Sequence, residues 1–241
     1  MTTKTLNISE EQLVDYSKAH NEPSWMTELR KKALKLTETL EMPKPDKTKL
    51  RKWDFDSFKQ HDVKGDVYQS LSQLPESVRE IIDVDHSKNL VIQHNNTIAY
   101  TQVDDNASKD GVIVEGLADA LMNHSDLVQK YFMKDAVTVD EHRITALHTA
   151  LVNGGVFVYV PKNVVVEHPV QYVVLHDDEN ASFYNHVIIV TEESAEVTYV
   201  ENYLSNASGE GNQLNIISEV IAGANSNITY GSVDYMDKGL S

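Results

Sequence analysis

The amino-acid sequence predicts an α+β fold: a helical front and a small hairpin, followed by a parallel β-solenoid. Three observations carry that expectation. Apolar residues recur at helical spacing as far as about residue 151, and the periodicity is gone after Gly155. "VFVYVPKNVVVEHPVQYVVLH" (156–176) is then dense in β-branched and aromatic residues, yet Pro, Lys and Asn interrupt it every few residues. Finally, 157–173, 186–202 and 218–234 can be laid over one another, each with an apolar run, a corner of about four residues and a second short strand. Their spacing of roughly thirty residues is that of stacked repeats. An ordinary sandwich of short strands fits less well, because it needs no such self-similarity.

Taken in order, Ser9 predicts an N-cap, with Glu10 and Glu11 in the first turn where the helix dipole favours them. A second helix starts with Ser24 as its N-cap. Trp25, Leu29, Ala33, Leu36 and Leu40 form its apolar stripe, and Pro43 and Pro45 end it. Residues 42–65 read as an extended connector pinned to the core by Trp53, Phe55 and Phe58. "LPESVREIID" (74–83) is a short helix with Pro75 in its first turn. Asn95-Asn96 between two strand-like runs marks a hairpin over 89–104. A strand "GVIVEG" and one helix "LADALMNHSDLVQKYFM" come next. An amphipathic helix over 140–153 then places Ile144, Leu147 and Leu151 on one face and is stopped by Gly154-Gly155. The organisation expected is therefore a helical region and connector (1–88), a mixed segment (89–155) and the first coils of an incomplete solenoid (156–241).

Composition narrows the function. The chain has no cysteine, which excludes disulfides, a thiolate nucleophile and thiolate metal ligation from its own side chains. Its formal charge of −16 disfavours nucleic acid and anionic membrane as partners. Lys and Arg together number only 3 after residue 135, against 14 Asp and Glu. No run approaches a membrane span, and the first residues hold no secretory h-region.

The sequence predicts no catalytic residue and no metal ligand set. His142 and His148 are six apart on one helix and face different ways. His168, His176 and His186 fall in successive strand segments that could approach one another, and are read as coil or surface histidines. Glu192, Glu193 and Glu196 are read as a solvated edge that discourages wrong strand pairing, not as a glycoside-cleaving carboxylate pair. Gly209-Glu210-Gly211 is too short to cradle phosphate. A solenoid enzyme acting on polysaccharide is the alternative; it would need basic side chains aligned on adjacent strands, and Arg143, Lys162 and Lys238 do not supply them. A hexapeptide acyltransferase would need a much shorter repeat.

"EHRITALHTALVNGGVFVYVPKNVVVEHPVQYVV" (141–174) resembles the signature of the SufB/SufD family of iron–sulfur cluster assembly scaffolds. The matching positions are Ala146-Leu147, Ala150, Gly154-Gly155, Phe157, Tyr159-Val160-Pro161-Lys162 and Val164. "NHVIIVTEESAEVTYVENY" (185–203) is similar to the next coil of the family, and "EPSWMTELRKKAL" with Trp53 is similar to the front of its SufD branch. The resemblance implies a right-handed parallel β-helix. It implies a non-enzymatic cytoplasmic scaffold that works with SufB and the ATPase SufC in cluster assembly and iron acquisition. No resident cofactor is expected in this chain, and the nascent iron–sulfur cluster is cargo shared with SufB. The main docking regions for SufB and SufC are expected beyond Ser241. The absence of a capping element after "VDYMDKGLS" predicts a longer protein or a partner chain on the open coil, a second copy included.

Overall fold

The computed structural model describes residues 6–50, 55, 59, 61–82, 87–205 and 213–236. Helix α1 (Glu10–Ala19) starts at Ser9, the N-cap that its sequence predicts, in a capping box completed by Gln12. Helix α2 (Ser24–Leu36) differs from expectation at both ends. Pro23 holds the cap position and Ser24 is already helical, without a side-chain cap. The helix stops at Leu36, well before the prolines, and the Thr37 hydroxyl donates to the Leu34 carbonyl at 2.6 Å. Its buried face is Met26, Arg30 and Ala33, with Trp25, Leu29 and Leu36 at the flanks. Trp53 and Phe58 lie outside the described residues, whereas Phe55 packs on the cluster of α1, α2 and the later helix α7.

Short helix α3 (Glu76–Arg79) follows Pro75, which sits at its cap. The hairpin β1 (Asn89–His94) and β2 (Thr97–Gln102) turns on Asn95, whose φ is 52°. Helix α4 (Asp105–Lys109), capped by Asp104, and strand β3 (Ile113–Gly116) come next. The single helix expected after β3 is two, α5 (Leu117–Asn123) and α6 (Ser125–Tyr131), separated at His124, whose ring reaches back to Glu115. Helix α7 (Arg143–Leu151) is buried along nearly its whole circumference rather than on one face. It ends at Leu151, and Gly154-Gly155 already belong to the next strand.

That strand begins a regular pattern. Strands β4 (Gly154–Val160), β6 (Ser182–Thr191) and β8 (Gln213–Ala222) pair in parallel in a four-stranded sheet, with β3 antiparallel at one side. Strands β5 (Val170–His176), β7 (Glu196–Ser205) and β9 (Asn227–Tyr235) pair in parallel in a five-stranded sheet, which β1 joins in parallel and β2 closes antiparallel. Consecutive strands thus alternate between sheets. Inward residues of both sheets, including Val158, Ile189, Val174, Val197 and Tyr199, form the central core.

The corners repeat as the strands do. Asn163, Ser194 and Asn225 have φ of 63°, 59° and 57°, and successive corners are 31 residues apart. Backbone bonds join successive corners, Asn163 N–H to Glu193 O at 3.0 Å and Ser194 N–H to Ala224 O at 2.9 Å. Glu192, Glu193 and Glu196 sit at the middle corner. This is not a sheet edge, because β6 and β7 are paired on both sides. Glu193 instead pairs with Lys162 of the preceding corner at 2.8 Å.

The register places Tyr159 beside Val190, and Val160 beside Thr191. One residue of offset exchanges faces. Val160 therefore points into the core between the sheets and Val190 into the helical layer on the outer face, although both are buried. Other helical clusters are built by α1, α2 and α7, and by α3 with the segment before it against the outer face of the five-stranded sheet. Among the described residues no helix is long and apolar enough to cross a membrane.

Two outcomes follow. Val190→Asp should place an unpaired carboxylate between sheet and helices and cost several kcal/mol, read as a lower melting temperature. Ser194→Val, a β-branched residue at a left-handed corner, should cost about 1–2 kcal/mol, whereas Ser194→Gly should not. Equal melts for the valine and glycine variants would contradict the corner geometry.

Candidate functional site

Alternate residues of a strand face opposite ways. On β6 and β8 one set of alternates fills the central core, and the other, with His186, Asn215 and Glu219, meets the helices. His148 of α7 and the segment after α6 come down onto these three. The result is a buried chain of polar groups. His186 Nε2 lies 2.8 Å from Glu219 Oε1, His186 Nδ1 lies 3.0 Å from His148 Nε2, and His148 Nδ1 lies 2.6 Å from Asn215 Oδ1. Both histidines and Glu219 have no solvent exposure.

Neighbouring groups fix this chain in place. The Met133 N–H donates to Glu219 Oε1 at 2.7 Å and the Val137 N–H to Oε2 at 3.3 Å. The Phe132 ring lies 4.4 Å from the His186 ring, centroid to centroid. Gly155 stands beside His186 in the register with φ of 135°, and a Cβ there would collide with the His186 backbone. Burial, and then the charge at neighbouring His186, holds His148 well below the ordinary histidine range.

A second polar group lies between the sheets. Tyr172 donates to Gln93 Oε1 at 2.6 Å, the Gly155 N–H donates to the same oxygen at 3.0 Å, and Gln93 Nε2 donates to Asn185 Oδ1 at 3.1 Å. Further along β7, Glu201 accepts from Tyr199 at 2.9 Å and from Tyr230, and burial raises its carboxyl above the usual range. His176 stacks on Phe183 at 3.6 Å, and neither of its ring nitrogens has a partner among the described residues. Burial pushes it down to about 3.

The residues singled out by sequence are distributed differently from expectation. His142 accepts from the Thr145 N–H as the N-cap of α7. His148 and His186 are core groups bonded to each other, neither surface nor coil positions. His176 is buried away from them, and His168 lies in the corner before β5, where its carbonyl accepts from Asn89 Nδ2 at 2.9 Å. The three strand-segment histidines therefore do not converge. Gly209, Glu210 and Gly211 lie outside the described residues. Glu219, Asn215 and Gln93 were missed, although a carboxylate inside the apolar run "NIISEVIA" was a usable signal.

This arrangement is a chain of hydrogen-bonded groups rather than a metal cage. Its donors and acceptors run in a line rather than around a point, and among the described residues no three His, Asp or Glu side chains form a cage. Two surface clefts offer less. One is lined by Tyr16, Arg30, Gln93 and Gly155, but its charges are engaged, Arg30 with Glu22 and with the carbonyls of Ala150 and Val152. The other, around Asn89, Asp104 and His168, uses its polar groups to cap α4 and hold the corner.

Comparison with known proteins adds independent findings. The family model described as "SufBD protein N-terminal region" matches residues 10–172, and "SUF system FeS cluster assembly, SufBD core domain" matches 173–240. The chain is 47% identical over 237 residues to the iron–sulfur cluster assembly protein SufD of Bacillus subtilis, covering 98% of this chain and 54% of that protein. It is 26% identical over 236 residues to a SufBD family iron–sulfur cluster assembly protein of Staphylococcus epidermidis, covering 94% and 50%. A Pyrococcus horikoshii protein of the same description is 27% identical over 205 residues, covering 81% and 45%. The chain thus spans about half the length of the curated relatives it matches.

The buried histidines make stability depend on pH. His61, held at 2.6 Å from the Leu151 carbonyl, is pushed down to about 4 by burial, and His148 and His176 are depressed as well. An unfolded histidine titrates near 6.5, so unfolding takes up protons below that pH. The stabilisation is fully present above about pH 6.5 and is lost as pH falls toward the folded values, at about 1.4 kcal/mol per unit for each histidine. Denaturant melts should show a steep decline from pH 6.5 to 4, and His176→Leu should flatten it.

Proposed function

Since the chain belongs to the SufBD family, we propose that it serves as a SufD-like scaffold subunit of the SUF system for iron–sulfur cluster assembly. The observation that carries this reading is the pair of family models, which together run from residue 10 to 240 without a gap between them. The 47% identity to a SufD supports the branch. In this reading the alternating parallel strands are the first coils of a right-handed β-helix, and each left-handed corner starts the return to the other sheet.

The mechanism is one of holding rather than turnover. Ladders on both sides of β4–β7 make a stiff body that transmits force between partners without changing shape. Its partners are SufB and the ATPase SufC, docked mainly through regions that follow this segment in the longer relatives, and the work is done in the cytoplasm. Iron acquisition belongs to the same complex. The cluster is cargo. With no cysteine in this chain, its thiolate ligands come from elsewhere, and this subunit contributes shape, carboxylates and imidazoles.

Co-expression of the full product of this gene with SufB and SufC from the same source tests the reading. A tagged copy should retain both through purification, and should restore iron–sulfur enzyme activity in cells lacking their own SufD. Failure to retain either partner, together with failure to restore activity, overturns the assignment.

A further inference from the structure

The buried chain Asn215–His148–His186–Glu219 poses a charge problem that its geometry resolves. Glu219 has no solvent exposure, and it accepts from two backbone N–H groups and from His186. An ionised carboxylate in such a place needs a compensating charge. Arg30 of α2 reaches the field of His148, but it is already paired with Glu22. Tyr184, whose ring lies against His148, donates its hydroxyl to Gln213. Among the described residues, His186 is the only group in hydrogen-bond contact with Glu219 that can carry positive charge.

The directions of the hydrogen bonds agree. With Asn215 Oδ1 as acceptor, His148 donates from Nδ1 and has a lone pair at Nε2. That lone pair faces His186 Nδ1 at 3.0 Å, so Nδ1 carries a proton. His186 Nε2 faces a carboxylate oxygen, so it carries one too. We propose that His186 is held as a buried imidazolium between Glu219 and His148, and that its extra proton closes a latch joining α7, β6, β8 and segment 133–137. Loss of one proton reverses or breaks the His186–His148 bond and leaves Glu219 uncompensated.

The test is nitrogen NMR of the protein with ¹⁵N-labelled histidine. At pH 7.5 an ordinary histidine is about one-tenth charged. His186 should instead show both ring nitrogens protonated, and His148 a neutral ring protonated at Nδ1. On raising the pH, the His186 signal should convert to neutral imidazole in step with faster hydrogen exchange at the Met133 and Val137 amides, beyond the intrinsic base-catalysed rise. Glu219→Gln removes the charge that needs compensating, so in that variant His186 should be neutral at pH 7.5 and the coupled exchange step absent. A neutral His186 in the unmodified protein at pH 7.5 overturns the proposal. So does an imidazolium that persists unchanged in Glu219→Gln. Should that variant fail to fold, the His186 spectrum and the amide exchange of the unmodified protein decide the matter.

Discussion

Everything in the β-rich half depends on one geometric constraint, the return of the backbone to the same left-handed corner every 31 residues. A parallel ladder has no freedom to absorb an extra residue, because a slip of one would turn each buried side chain toward the wrong face. Asn163, Ser194 and Asn225 meet that constraint with the backbone conformation, and the bonds between neighbouring corners lock it. The strands can then be short, since each is held on both sides. This is also why Pro161, Lys162 and Asn163 can interrupt an otherwise β-branched run without weakening it: they lie where the chain turns, not where it pairs.

The helices solve a different problem. They cover the outer face of a sheet whose outward alternates are partly polar, and so cannot be held by apolar contact alone. Arg30 is the clearest case. It leaves α2 fully buried, forms a two-pronged pair with Glu22, and donates to the Ala150 and Val152 carbonyls at the end of α7. Those carbonyls are among the acceptors a helix end leaves unsatisfied, and a guanidinium there also meets the negative end of the helix dipole. The same side chain lies over the Tyr16 ring at 5.0 Å. One cation thus joins α1, α2 and α7, and makes α7, a helix with almost no solvent-facing side, possible.

Legibility in the sequence followed the local strength of each signal. The Ser9 cap, the Asn95 hairpin and the repeat of strand and corner were readable because each rests on a few adjacent residues with one physical meaning. The faces of the strands were harder. Val160 and Val190 look equivalent by composition, and only the pairing of Tyr159 with Val190 separates them. A strand buried on both sides erases the alternation that would have set its register. The polar chain was harder still, because its members come from residues 148, 186, 215 and 219, and no spacing rule joins them. His148 faces away from His142 on α7, so the spacing of that pair gives no hint of a site. His148 meets the two strands β6 and β8 instead.

The burial of charge in the helical layer has a consequence for what this body can be. An apolar interface between helices and sheet would be more forgiving, since hydrophobic contacts tolerate sliding and small rotations. Glu219 with its two amide donors, and Arg30 with its two carbonyls, tolerate neither, because a displacement leaves a charge without partners in a dry interior. Burial of His61, His148 and His176 adds a sensitivity to acid that this rigidity does not relieve. What the rigidity secures is a single relative position for the helical front and the stacked strands. The polar groups on the outer face of the four-stranded sheet define that position, and they do so at some cost in stability, since each buried charge must keep its partners.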